Sequence, residues 1–125
     1  MMPPMNEPVL IDSITEVLPD HAGRIVVTGS HGGRSVAAYA ACVRARLYVF
    51  NDAGVGRDNA GIASLMLLDV EGIAAATVSH TSARIGEASD TLARGVVSHV
   101  NRTAKALGVR VGDTVASTCR ECELA

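Results

Sequence analysis

Short runs of apolar residues alternate along the chain with longer stretches in which apolar residues recur at helical spacing. Three short runs, at 24–28, 47–52 and 73–78, consist mostly of apolar residues, many of them β-branched. The second run also contains Tyr48 and Phe50. This composition is typical of buried strands. Each run ends in a loop of small and polar residues, and a stretch of helical spacing follows. This repeated order of strand and helix predicts an α/β fold with a mainly parallel sheet.

The stretches that connect the strands predict the first three helices. They lie over 13–18, where Asp12 can cap the helix, over 35–46 and over 59–69. A short edge strand is expected over 9–11. In the helix over 59–69 we expect the apolar side chains to face inward, namely Ile62, Leu65, Met66 and Leu68.

The last third of the chain predicts one long helix and one more strand. Ser89 can cap a helix over 89–107, and Gly108 provides a stop at its carboxyl end. Gly95 lowers the helix propensity of this stretch by ~1 kcal/mol. A final strand is expected over 109–115.

These elements fit one domain. At 125 residues the chain is long enough for a single hydrophobic core and short for two. We expect a loose arm over 1–8, one α/β domain over 9–116 and a tail over 117–125. The predicted architecture is a three-layer sandwich in which helices flank a sheet of about four strands.

Composition narrows the classes of function. Aromatic residues make up only 2% of the chain and Trp is absent, so the surfaces on which single-stranded nucleic acids stack are lacking. The net charge of −2 also argues against a nucleic-acid partner. No apolar run approaches the ~20 residues of a membrane helix, and the first residues lack the pattern of a signal peptide. Three cysteines fit reduced thiols, so we expect a cytoplasmic protein.

Candidate chemistry lies in the loops that follow the three confident strands. These loops read Ser30-His31-Gly32-Gly33, Asn51-Asp52-Ala53-Gly54 and Ser79-His80-Thr81-Ser82. Parallel strands bring such loops to one edge of the sheet, where ligands bind in α/β proteins. Histidine titrates near neutral pH and a carboxylate can orient it, so this set suits acid–base catalysis. The catalytic candidates are His31, Asp52 and His80.

The same loops supply candidates for binding an anionic ligand. Glycines allow close approach to backbone N–H groups at the starts of helices, and Arg84 can clamp a carboxylate. The alternative for Arg84 is a salt bridge to Glu87 or Asp90. The ligand-binding candidates are Ser30, Gly32, Gly33, Asn51, Arg57, Ser79, Thr81, Ser82 and Arg84.

Other chemistries have weaker signals. The two histidines and Asp52 could hold zinc or iron, but no local metal motif supports this, and neither nucleotide-binding glycine fingerprint is complete. Cys119 and Cys122 have C-x-x-C spacing without a second pair, and we interpret them as part of a mobile tail. His21 and His99 are expected to be surface residues.

One resemblance to a known family rests on two loops. A strand followed by Ser-His-Gly, and after one helix a strand followed by Asn-Asp-Ala-Gly, resembles the core of caspase-type cysteine peptidases. The resemblance implies a histidine and a cysteine at successive strand ends. Gly54 stands where that cysteine is needed, so peptidase activity is not implied for this chain.

Two hypotheses about function follow from the sequence. The first is a small hydrolase, lyase or isomerase that acts on a polar, carboxylate-bearing metabolite without a cofactor. The second is a non-catalytic binding or regulatory module that uses the same loops. The mean hydropathy of +0.26 and helices rich in small residues also predict a homo-oligomer, with a dimer as the commonest case.

Overall fold

A computed structural model describes residues 7–124 and shows a five-stranded, mostly parallel sheet. The strands stand side by side in chain order, with the first four parallel and the fifth antiparallel to the fourth. The predicted α/β class is confirmed, with five strands rather than about four. The strands are β1 (Val9–Ile11), β2 (Ile25–His31), β3 (Leu47–Asn51), β4 (Ala75–Val78) and β5 (Val97–Val100).

Short helices connect and flank the strands. Among residues 7–124, none is long and apolar enough to cross a membrane. The arm expected over 1–8 lies mostly outside the described residues. Three short 3₁₀ segments occupy Ile14–Glu16, Pro19–His21 and Arg57–Ile62. The α-helices are α1 (Val36–Ala41), α2 (Ala63–Val70), α3 (Ala88–Arg94), α4 (Arg102–Ala106) and α5 (Val115–Leu124).

Two apolar cores lie on the two faces of the sheet, which gives the predicted three layers. Successive strand residues point to opposite faces, so Val26 and Tyr48 pack in one core while Val27 and Val49 pack in the other. The first core contains side chains of α1 and α2, and the second contains side chains of α4 and α5. The central strands are thus buried on both faces, as their continuous apolar runs predict.

The prediction of one long helix over 89–107 is wrong. The structure divides this stretch into α3, β5 and α4. Gly95 follows α3 with an extended backbone, and glycine is required there because a Cβ would collide with the Thr91 carbonyl oxygen and crowd Val78 and Val115. The β-branched residues that follow pair with β4, and the Asn101 side chain accepts a hydrogen bond from the Ala104 amide to begin α4.

The prediction of a final strand over 109–115 is also wrong. Residues 110–113 form a turn, and α5 begins at Val115. Cys119 and Cys122 are buried against the second core, so they do not belong to a mobile tail. Their spacing of three residues places both on one side of α5.

Three earlier elements also differ from their predictions. Helix α1 is shorter than 35–46 because the backbone of Arg44 and Arg46 pairs with Gly23 and Arg24 at 2.9 Å, which ends the helix before β3. The stretch 13–18 forms a single 3₁₀ turn instead of an α-helix. In α2, Leu65 and Leu68 face the core as expected, but Met66 is exposed.

Candidate functional site

The loops after β2, β3 and β4 lie at the same edge of the sheet. The three strands are parallel, His31 pairs in register with Asn51, and Asn51 pairs with Val78. Asp52 follows β3 directly, and its amide donates to the Val78 carbonyl oxygen at 2.9 Å. The sheet therefore brings the ends of the three predicted loops to one rim.

Asp52 is the centre of the polar cluster at this rim. Its carboxylate is buried, and Oδ1 accepts hydrogen bonds from the amides of Gly54 at 2.8 Å and His80 at 3.1 Å. The ring Nδ1 of His80 lies 3.5 Å from Oδ1, and the ring Nδ1 of His99 lies 4.0 Å from Oδ2. One buried carboxylate is thus flanked by two imidazoles.

The surroundings of Asp52 favour its ionised form. Burial alone acts to raise the pKa of Asp52, but hydrogen bonds from the Gly54 amide, the Ser98 hydroxyl and the His80 amide outweigh it. The nearby His80 ring acts in the same direction, and the net pKa of Asp52 is lowered. Asp52 is therefore a fixed negative charge beside both histidines at neutral pH.

The two histidines have different environments. The His80 side chain is 56% exposed, so its ring can meet a ligand directly. The His99 side chain is 38% exposed, and its Nδ1 lies 3.3 Å from the Thr77 hydroxyl and 3.2 Å from the Ser98 hydroxyl. Thr77 is fully buried, so this arrangement holds the His99 ring against the end of the sheet.

Sequence reasoning missed His99 because it placed this residue on a helix. Two signals for it were present. The run 96–100 contains three valines, and β-branched residues are enriched in strands. Ser98-His99 also repeats the Ser-His pair that ends two of the predicted strands.

His31 lies at the same rim but makes a local contact. Its side chain is exposed, and its Nδ1 accepts a hydrogen bond from the Gly33 amide at 3.0 Å. No hydrogen bond or ion pair within residues 7–124 joins it to Asp52 or His80. The adjacent Ser30 hydroxyl accepts from the Ile14 amide at 2.9 Å and so fixes the chain after β1.

Most other polar candidates at the rim hold the loops in place. The Asn51 side chain donates to the Ala83 carbonyl oxygen at 3.0 Å and accepts from the Ala53 amide at 2.8 Å. The Ser82 hydroxyl donates to the Ser79 carbonyl oxygen and accepts from the Val96 amide. The remaining predicted groups also have internal contacts, since the Gly32 amide donates to Asn51 and the Thr81 hydroxyl donates to the Ser79 hydroxyl.

The arginine predicted to clamp an anion does not reach Asp52. The Arg84 side chain is 76% exposed and pairs at 3.9 Å with Glu87, while its amide donates to Asp90. This matches the structural alternative considered for Arg84. Arg57 is exposed in the segment Arg57–Ile62 and makes no described contact with Asp52.

Two arginines line the same groove as His99. A groove of about 820 Å³ runs between α2 and β5, and Ser98 and His99 form part of its wall. Arg34, in the turn after His31, and Arg102, at the start of α4, line the same groove. The volume and the mixture of apolar walls with a few polar groups are typical of sites for small molecules.

The loop after Asp52 has an unusual backbone. Six residues between positions 53 and 59 have positive φ, and four of them are not glycine, including Val55 at φ 67°. A β-branched residue rarely adopts this conformation, and such strain is concentrated at functional sites. Gly61 lets the loop return to β3, because a Cβ at this position would collide with the Asp52 carbonyl oxygen. The strain lies directly beside the buried carboxylate.

Within the described part of the chain, no group of three or more His, Cys, Asp or Glu side chains is arranged to hold a metal ion. Comparisons of the chain with protein-family models, with curated proteins and with solved structures found no match.

Proposed function

We propose that this protein is a small enzyme that acts on a polar, carboxylate-bearing metabolite by acid–base chemistry. The observation that carries the proposal is the buried, ionised Asp52 within 4.0 Å of the rings of His80 and His99. A buried carboxylate with a shifted pKa at the carboxyl edge of a parallel sheet is typical of active sites. The reaction class is that of a hydrolase, lyase or isomerase.

In this proposal His80 transfers the proton to and from the substrate. Its ring is the more exposed of the two, and the carboxylate of Asp52 stabilises the imidazolium that forms when His80 accepts a proton. His99 is the second acid–base group, with its ring position fixed by Thr77 and Ser98. His31 lies at the same rim and remains a catalytic candidate, but no hydrogen bond or ion pair joins it to His80 or Asp52 in the described residues.

The anion of the substrate is assigned to the groove beside His99. Arg34 and Arg102 line it together with Asp58 and Asp69, and an arginine guanidinium can bind a carboxylate through two parallel hydrogen bonds. The Asp52 charge repels an anion, so these arginines have to hold the carboxylate away from Asp52. The proposal also includes the expected setting, a cytoplasmic homo-oligomer that binds neither nucleic acid nor membrane.

A non-catalytic binding or regulatory module is the second candidate. It is favoured by the number of rim groups already hydrogen-bonded within the protein, including Asn51 and Ser82. Such groups shape a pocket, and part of their hydrogen-bonding capacity is already used within the protein. The two candidates share the ligand class and differ in whether the ligand is converted.

The test combines a ligand screen with turnover. We expect a panel of hydroxy acids, keto acids and dicarboxylates to contain a compound that raises the melting temperature and is converted, as followed by proton NMR. Replacing His80 or His99 by Ala should lower kcat by about 10²–10⁴-fold, because a positioned general acid or base contributes that much. His21→Ala is the matched control, since His21 only accepts a bond from the Leu18 amide outside the site.

Binding and conversion separate the two candidates. A compound that binds with unchanged affinity to wild type and to His80→Ala, and that neither protein converts, would identify the binding module. Conversion that survives in His80→Ala and in His99→Ala would contradict the acid–base assignment. Arg34→Gln should weaken binding of the same compound more than Arg84→Gln does.

A further inference from the structure

Helix α2 is apolar on both its inner and its outer side. Leu65 and Leu68 pack in the first core, whereas Met66, Leu67 and Val70 are exposed. A helix at the surface of a monomer usually has a polar outer side, and a helix that is apolar all round is normally covered on all sides. The outer side of α2 therefore has the composition of a covered surface.

The exposed apolar residues of the protein are concentrated next to this helix. Four of the eight large apolar side chains that are exposed among the described residues line the groove between α2 and β5. Val70 is 86% exposed and Met66 is 77% exposed, which are the largest values of the set. Contiguous apolar patches of this kind mark protein interaction sites. The four residues are Met66, Leu67, Val70 and Val111.

The groove lies along the edge of the sheet. β5 is the last strand, and the turn over 110–113 pairs with it only at Val97, through hydrogen bonds with Gly112 and Asp113 at 2.8 Å. The rest of β5 lines the groove with Ser98, His99 and Val100. An edge strand left without a neighbouring strand is a site at which another chain can dock.

The charges of the groove favour a second copy of the chain as the partner. Arg34 and Arg102 lie in the same surface as Asp58 and Asp69, so the surface has both signs and no net charge. A two-fold interface places a surface against its own copy, and a strongly charged surface would repel itself there. A stable dimer buries about 800 Å² per partner. That area is roughly an eighth of the 6642 Å² surface.

We propose that a second copy of this chain docks on the surface formed by Met66, Leu67, Val70 and Val111. This proposal names the interface of the homo-oligomer that was proposed above. Because His99 lines the same groove, the second copy borders the part of the candidate site that contains His99.

Light scattering coupled to gel filtration at micromolar concentration tests this interface without any substrate. Wild type should have twice the 12.9 kDa mass of the chain. Val70→Glu and Met66→Glu should have the mass of one chain, because each places a charge in the apolar centre of the interface. Both residues are exposed, so circular dichroism should show an unchanged fold.

Ile85→Glu is the matched control, because Ile85 is also exposed but lies outside the groove. This variant should remain a dimer. In nitrogen-15 NMR spectra of the histidine rings, the His99 signals should differ between Val70→Glu and wild type, while those of His21 stay in place.

Three results would overturn the proposal. A monomeric wild type would remove the homo-oligomer together with its interface. A dimer that persists in both glutamate variants of α2, or that dissociates equally in Ile85→Glu, would show that the interface lies elsewhere. None of these masses bears on turnover, so the acid–base proposal is tested separately.

Discussion

At the scale of single residues, Asp52 is the centre of the polar interactions at the rim. Two backbone amides and the Ser98 hydroxyl hold the carboxylate in its ionised form within a buried site. Removing a buried charge from water is costly, so these bonds have to compensate for the lost hydration. A carboxylate fixed in this way is a negative charge beside the two histidine rings at neutral pH.

The lowered pKa of Asp52 predicts how stability changes with pH. A carboxyl group with a lower pKa in the folded state stabilises the fold above its unfolded pKa of about 3.8, and this contribution is lost as the pH falls through the folded pKa. Asp52→Asn should therefore lower the free energy of unfolding by about 2 kcal/mol at neutral pH. The difference from wild type should shrink on acidification below pH 3.8.

Urea unfolding at several pH values measures this difference. Asp20→Asn is the control, because Asp20 is exposed in a 3₁₀ segment far from the cluster. A difference between wild type and Asp52→Asn that stays constant from neutral to acidic pH would show that Asp52 has no lowered pKa.

At the scale of elements, the carboxyl end of β5 is fixed by one side chain. Asn101 is buried and caps α4, and its oxygen accepts hydrogen bonds from the amides of Ala75 and Ala104. Its nitrogen donates to the carbonyl oxygens of Leu65 and Ile73. One amide side chain thus joins β4, α2 and α4 and determines where the strand that contains His99 ends.

Replacing Asn101 by Ala should lower the free energy of unfolding by about 3 kcal/mol, because buried donors and acceptors are left without partners. Asn101→Asp should cost at least as much, because its second carboxylate oxygen would lie against the carbonyl oxygens of Leu65 and Ile73, which only accept hydrogen bonds. Thermal and urea unfolding measure both effects. Thr103→Ala is a milder comparison, since it removes only the hydroxyl bond to Asp69. An Asn101→Ala protein as stable as wild type would contradict this role.

At the scale of the whole molecule, α5 completes the second core. Val115, Cys119 and Cys122 are buried there with strand residues such as Val27 and Val49. Burial of one such aliphatic side chain contributes about 1.5–3 kcal/mol, against a total stability of roughly 5–15 kcal/mol for most domains. The end of the chain is therefore part of the fold on which the rim is built.

Two neighbouring substitutions on α5 test this role. Cys119→Asp should lower the free energy of unfolding by about 3 kcal/mol, because it places a carboxylate in the apolar core. Arg120→Asp should change it by less than about 0.5 kcal/mol, since Arg120 is exposed. Equal and small effects of the two substitutions in urea unfolding would indicate that the helix is detached from the core.

The sequence determined the local features of this protein. The runs at 25–29, 47–51 and 75–78 are buried on both faces, so their hydrophobicity alone predicts the parallel strands. The polar residues that follow them predict one rim, and Asp52 and His80 do lie together there.

Only the tertiary structure decided the last third of the chain and the full composition of the site. Val96 and Val100 fit helical spacing, whereas the three valines of 96–100 favour a strand, and the pairing of β5 with the distant β4 decides between them. That pairing brings His99 to Asp52 and leaves Arg84 away from it. Contacts between residues far apart in the chain have no signature in local periodicity, because periodicity records which face of an element is apolar and not what covers it.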